Sequence, residues 1–237
     1  MFNEPWCQPI RAYKYVLKTD CDVFLTHHLK QYQPHLLLIG EGQYYDSTQD
    51  KYVLHLKELA KKFGWNYRYL TNVGCSMFGT TETVISIFQL VNSVAEEILK
   101  NEWFGPFEKG VVSMMATELA VNAVCSQQHV VLYALDYKSW KTTRMGSDVL
   151  HIHAWHVYEK WSKHCFLNRM YQDWVVQTYD QACDNAADYC QWIATQSIQD
   201  ILRERKRIRQ QVYANLEISV NGCLFKALTD VPEDVPE

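Results

Sequence analysis

Two carboxylates stand two residues apart within an otherwise apolar stretch, Lys18-Thr19-Asp20-Cys21-Asp22-Val23-Phe24-Leu25, preceded by Tyr13-Lys14-Tyr15-Val16-Leu17. An unpaired charge inside a hydrophobic strand is costly, so the pair needs a partner. Side chains at i and i+2 of an extended chain share a face, which lets Asp20 and Asp22 converge on one point. Two hard oxygens at a strand end suit magnesium or manganese held together with substrate phosphates. The same D-x-D spacing also fits an exposed turn whose Asp residues cap backbone groups.

A second cluster lies far along the chain, where His151-Ile152-His153-Ala154-Trp155-His156 sets three imidazoles close together. In a strand His151 and His153 share a face, and His156 joins them only after a turn. Imidazole ligates manganese, zinc or iron, and Lys160 and Lys163 downstream offer cations for phosphate oxygens. A satisfied core histidine is the simpler reading of any one of these residues, but the clustering favours a site. The string falls one residue short of H-x-H-x-D-H, the metallo-β-lactamase-type hydrolase signature, with Trp155 where that pattern has its Asp. A zinc hydrolase using His151, His153 and His156 is therefore a competing reading.

Hydrophobic periodicity supplies the elements that position these groups. Residues 13–17 and 23–25 read as one strand interrupted at 19–22, and 35–39 as another, stopped by Gly40-Glu41-Gly42. A helix is predicted from Lys51 to Phe63, with Val53, Leu56, Leu59 and Ala60 as its apolar stripe and Gly64 as its stop. Asn72-Val73-Gly74-Cys75-Ser76-Met77-Phe78-Gly79 reads as a glycine-punctuated loop, and Thr81 as the cap of a long helix to about Lys100. Gly110 opens a second apolar helix through Val124, and residues 130–133 and 149–153 read as strands. A last long helix is predicted from about Asp184 to Leu216, followed by a strand pair over 217–227 and an acidic tail from Pro232. This alternation implies an α/β fold, a mixed sheet flanked by helices. Its expected division is 1–183, carrying the candidate site, and a helical extension over 184–237.

Composition narrows the functional classes. The 237 residues are 14% aromatic with only 9 Gly and 6 Pro, which excludes a disordered or linker-rich chain. With 23 basic and 27 acidic residues the net charge is −4, which argues against general attraction to nucleic acid. The run Arg203-Glu204-Arg205-Lys206-Arg207-Ile208-Arg209 then reads as a solvated helix face. The 8 Cys include no C-x-x-C pair and fit neither a zinc ribbon nor a disulfide scaffold. The N-terminus has neither the basic nor the apolar region of a signal peptide. The most apolar long stretch, Val84 to Leu99, carries Gln89, Asn92, Glu96 and Glu97 and is shorter than the ~20 apolar residues of a bilayer span. A soluble chain without a membrane segment is expected.

Taken in order, these motifs resemble a nucleotide-sugar glycosyltransferase of the GT-A type. The resemblance rests on the D-x-D strand at Lys18–Leu25, the Gly-rich segment Asn72–Gly79, the helical carboxylate in Ala116-Thr117-Glu118-Leu119-Ala120-Val121-Asn122, and the His-then-Lys stretch from His151 to Lys163. It spans about residues 13 to 166. It implies that Asp20 and Asp22 hold manganese or magnesium on the donor diphosphate, with His153, or His151 in its place, completing the metal shell. Lys163 or Lys160 would contact phosphate, and Gly74 and Ser76 would line the donor site. Glu118 would act on the acceptor hydroxyl, with Asn122, one turn on, beside it. The implied partners are a nucleotide-sugar donor and a glycan or other hydroxyl acceptor. Nineteen residues precede Asp20, fewer than the ~30 of a βαβ unit, so a nucleotide-binding half is not expected in this chain. A piece of a longer protein, in the Golgi or secretory pathway if an upstream anchor exists, and a non-catalytic module derived from the same fold both follow as readings.

Overall fold

The computed structural model describes residues 5–42, 50–67, 70, 72–155, 158 and 160–196. The chain divides into two compact units, 1–193 and 194–237, and every element discussed below in connection with the site lies in the first. In chain order the strands are β1 (Tyr15–Lys18), β2 (Val23–Leu25), β3 (Leu37–Glu41), β4 (Val73–Thr80), β5 (Val130–Leu135), β6 (Tyr137–Lys138) and β7 (His151–His153). The helices are α1 (Asp50–Lys62), α2 (Thr81–Lys100), α3 (Pro106–Gly110), α4 (Val112–Val124), α5 (Lys163–Leu167), α6 (Tyr179–Ala182) and α7 (Ala186–Thr195). The fold is α/β, with mixed sheets flanked by helices.

Two sheets carry the strands. The larger has the order β1-β4-β3-β5, antiparallel except for the β3–β5 pair, and the smaller has the order β2-β7-β6. The chain crosses between them three times: at Thr19–Asp22, between β1 and β2; over residues 26–36, between β2 and β3; and at the single residue Asp136, between β5 and β6. The first and third of these carry carboxylates, Asp20 and Asp22 on one and Asp136 on the other.

One face of the larger sheet is covered by helices. On α2, Val84, Ile87, Val91, Val94 and Ile98 recur at helical spacing and are buried against α4 and the strands. The helix α4 is apolar nearly all round, with a continuous buried run from Met115 to Asn122, as expected for a helix enclosed by others. On the other face, Leu38, Phe78, Leu135 and Leu150 form a smaller cluster. The burial of these side chains contributes roughly 1.5–3 kcal/mol each, before the opposing conformational entropy is counted.

Several expectations need correction. Residues 72–79 are not a loop: 73–80 form β4, the buried strand paired on both sides by β1 and β3. Its glycines mark close approaches of neighbouring groups rather than a turn. Gly110 closes α3 instead of opening the next helix, which starts at Val112. The cap of α2 is Thr80, whose hydroxyl accepts from the Thr83 N–H, rather than Thr81. The predicted strand 149–153 is paired only over 151–153. The last helix is described from Ala186 to Thr195; its expected continuation, the basic run 203–209, the strand pair and the acidic tail lie outside the described residues. No helix among the described residues is long and apolar enough to cross a membrane.

Candidate functional site

The D-x-D segment sits at the first crossing between the sheets. The β2–β7 ladder pairs Val23 with His153 and continues one step further, the Ala154 N–H donating to the Asp22 carbonyl at 3.0 Å. This backbone pairing sets Asp22 beside His153, with Oδ1 3.4 Å from Nε2. Phe24 packs edge-on against the buried Trp161, their ring centroids 5.3 Å apart, two residues before Lys163. That contact anchors the start of α5, and Lys163 reaches back to donate to Asp22 Oδ2. Lys160, by contrast, lies with its Nζ 4.7 Å from the Trp174 ring centroid. Of the two candidate lysines, the structure brings only Lys163 to Asp22.

Asp20 approaches from the other side. One ligand atom each of Asp20, Cys75 and His153 lies within 4.8 Å of the others, and the Lys18 ammonium stands 3.9 Å from Asp20. An ion about 2.2 Å from each ligand bridges ligand pairs up to about 4.4 Å apart, so small side-chain adjustments complete a site. Asp22 stands outside that cluster, against His153 and Lys163, and an imidazole with carboxylates on either side suits a divalent cation that accepts both oxygen and nitrogen, manganese more readily than magnesium with its preference for all-oxygen octahedra. Cys75 adds a buried sulfur. Burial first, then the Asp136 and Asp20 carboxylates, push its thiol far up, so it stays S–H at neutral pH and is a poor ligand for a hard cation. Burial also raises Asp22, but the Lys163 hydrogen bond and the His153 and Lys163 charges outweigh it and hold the carboxyl below its ordinary value.

Cys75 and Ser76 are neighbours on one strand, yet both face this site. A regular strand would send them to opposite faces. Between the pairs Ile39–Met77 and Glu41–Val73, two steps of β3 are matched by four of β4. The irregularity turns successive side chains the same way. The β3–β5 ladder slips at the same place: from Leu38–Val131 to Gly40–Leu135, two steps again face four.

His151 is engaged differently from His153. The backbone N–H of Asp136 can only donate, so His151 Nδ1, 3.1 Å away, accepts, and the ring is neutral with its proton on Nε2. That proton goes to Thr19 Oγ1 at 2.6 Å, Thr19 hydrogen-bonds Ser76 Oγ at 3.1 Å, and Ser76 donates to Asp136 Oδ1 at 2.6 Å. The four residues close a ring of hydrogen bonds. Burial first and the charge on His153 second lower His151 to about 4, in keeping with a neutral ring. With both nitrogens occupied, His151 has no lone pair to offer a cation, whereas His153 does. His156 lies outside the described residues.

Glu118 and Asn122 are fully buried on α4. Glu118 accepts from the Tyr67 hydroxyl and from the Val73 N–H at 3.4 Å. Asn122 accepts from the Leu70 N–H at 3.2 Å and donates to the Leu70 carbonyl at 3.0 Å. Together they secure the chain that leads into β4.

Asp136 is the residue of this candidate site that pattern reading missed. It is 1% exposed, its carboxyl is raised by burial against the lowering effect of the Ser76 hydrogen bond, and its Oδ2 has no hydrogen-bond partner among the described residues. Gly40 and Gly74 make room for it: a Cβ on either would lie 1.6 or 2.7 Å from Oδ2. The available signal was a lone Asp at the end of an apolar run, Val130–Leu135.

Fold and site thus define an α/β protein with a candidate cation-binding cluster between two sheets. The chain belongs to the family described as Domain of unknown function (DUF7164), which matches residues 1–214. No curated protein matches it, and no solved structure does.

Proposed function

We propose that this chain is a divalent-cation-dependent glycosyltransferase of the GT-A type, moving a sugar from a nucleotide-sugar donor to an acceptor hydroxyl. The observation that carries the reading is that Asp20 and Asp22, two residues apart, each come to His153, more than 130 residues further on: Asp20 in one cluster with it, Asp22 at 3.4 Å, with Lys163 paired to Asp22. Sugar transfer leaves a nucleoside diphosphate, so negative charge grows on the diphosphate oxygens in the transition state. Manganese, when bound, would neutralise that charge. Asp20, Asp22 and His153 would hold the ion. Lys163 would exchange its carboxylate partner for a phosphate oxygen, a fixed cation needing little reorganisation. The buried Glu118 takes no part in the proposal, because both its oxygens already accept from protein donors.

Calorimetric titration with manganese, then with a nucleoside diphosphate, tests the reading. Manganese is expected to bind the wild type, and Asp20→Asn or Asp22→Asn to weaken binding by at least tenfold. Saturable nucleotide binding that requires manganese supports the enzyme. Manganese binding without nucleotide affinity at millimolar concentration supports a non-catalytic module of the same ancestry. Equal manganese affinity in wild type and both variants removes the site altogether.

A further inference from the structure

His153 carries two nitrogens with opposite surroundings. Nε2 faces Asp22 Oδ1 at 3.4 Å. Nδ1 is buried, makes no hydrogen bond among the described residues, and points toward Asp136 Oδ1 at 3.8 Å. The ring is held between these groups by Trp155, whose centroid lies 5.5 Å away and whose indole N–H donates to the Asp136 carbonyl at 3.4 Å. An approach of about 1 Å would bring Nδ1–H within hydrogen-bond range of Asp136.

Asp136 is itself held from several sides. Ser76 donates to its Oδ1, its backbone N–H donates to His151, and Gly40 and Gly74 leave the hollow that Oδ2 occupies. Its backbone is in the left-handed region, φ 62°, uncommon for a residue with a side chain and seen where surrounding contacts impose it. These contacts hold the carboxylate behind the imidazole, on the side away from Asp22.

We infer that Asp136 is the positioning residue of the cation site: it accepts from His153 Nδ1–H, so that Nε2 presents its lone pair to the ion shared with Asp20 and Asp22. Metal-bound histidines commonly donate their second N–H to a carboxylate, which fixes the tautomer and makes the ligating nitrogen more basic. The inference rests on the cation site proposed above and adds to it a third carboxylate that touches no substrate and acts only through His153.

The test compares full-length wild type with Asp136→Asn, which keeps the shape of the side chain, and with Ser76→Ala, which frees Asp136 from its donor. Manganese affinity is expected to fall about 10- to 100-fold in Asp136→Asn and by less in Ser76→Ala. Zinc serves as a diamagnetic probe for nitrogen NMR of the imidazoles. In the zinc-loaded wild type, His153 is expected to carry its proton on Nδ1, shifted downfield and slow to exchange. In Asp136→Asn that proton signal should move upfield and exchange faster, a change that a merely structural role for Asp136 would not produce. Manganese binding to the wild type with unchanged affinity in Asp136→Asn, or a His153 ring ligating through Nδ1, overturns the inference and leaves the proposed function standing. Absence of manganese binding to the wild type overturns both.

Discussion

At the scale of single residues, the hydrogen-bonded ring of His151, Thr19, Ser76 and Asp136 makes stability depend on pH in a definite direction. A buried imidazole lowered from 6.5 to about 4 is protonated in the unfolded chain before it is protonated in the folded one. Its contribution is therefore complete above pH 6.5 and is lost as the pH falls toward 4, by at most about 3 kcal/mol. Asp136, raised by burial, opposes this trend, because acid relieves the cost of its buried charge. Asp22, held low, adds a loss only below the ordinary carboxylate range. Comparison with His151→Gln isolates the histidine: the gap in melting temperature between wild type and variant should narrow steadily from neutral pH toward pH 4, and a constant gap would show that the ring is not as drawn. The legible part of the site was local. Asp20 and Asp22 stand two residues apart and His153 and Lys163 follow one motif, so both were visible as local patterns, although residues 19–22 link two sheets instead of extending one strand. The ring joins residues 19, 76, 136 and 151, and no local pattern couples positions so far apart. Glu118 and Asn122 were visible as a helical pair, but α4 is apolar on nearly every side, which hid the direction in which they face.

At the scale of elements, β3 and its neighbours are shaped around one carboxylate. Both ladders flanking β3 slip beside Gly40, and the extra residues of β4 bring Cys75 and Ser76 to the same side. A Cβ at Gly40 would fall 1.6 Å from Asp136 Oδ2, so Gly40→Ala must displace a side chain held by Ser76. The expected cost is about 1–3 kcal/mol in chemical denaturation, together with weaker manganese binding. Gly110→Ala is the control, since nothing lies within 4 Å of its added carbon. Equal stability of both variants would show that Gly40 does not shape the site. Periodicity located α1 and α2 well because their apolar stripes are long and regular. It misread β4, where glycines and small residues suggested a turn, because a strand buried on both faces shows no alternation. It could not show β6, two residues long, whose existence depends on β7.

At the scale of the molecule, a ligand that binds only the folded chain stabilises all of it. Manganese at a hundredfold excess over its dissociation constant adds about 2.7 kcal/mol, which for a chain of this size corresponds to a rise in melting temperature of about 5–10 °C. The rise is expected in the wild type, is reversed by a chelator, and is absent in Asp22→Asn; a rise of equal size in that variant would place the ion elsewhere. The α/β class was legible because strands and helices alternate along the chain, but the separation of the strands into two sheets was not, since it depends on pairings between β2 and β7 and between β6 and β7. That separation has a mechanical side. The sheets are joined at Asp136 by one residue, at Thr19–Asp22 by four and over residues 26–36 by eleven. Asp22 is tied to the small sheet by the Ala154 N–H, so a tilt of that sheet would leave the spacing of Asp22 and His153 intact while changing the gap from His153 to Cys75. An ion gripping Asp20, Asp22 and His153 would then latch the Thr19–Asp22 link, and amide hydrogen exchange in β2 and β7 should slow when the latch is closed.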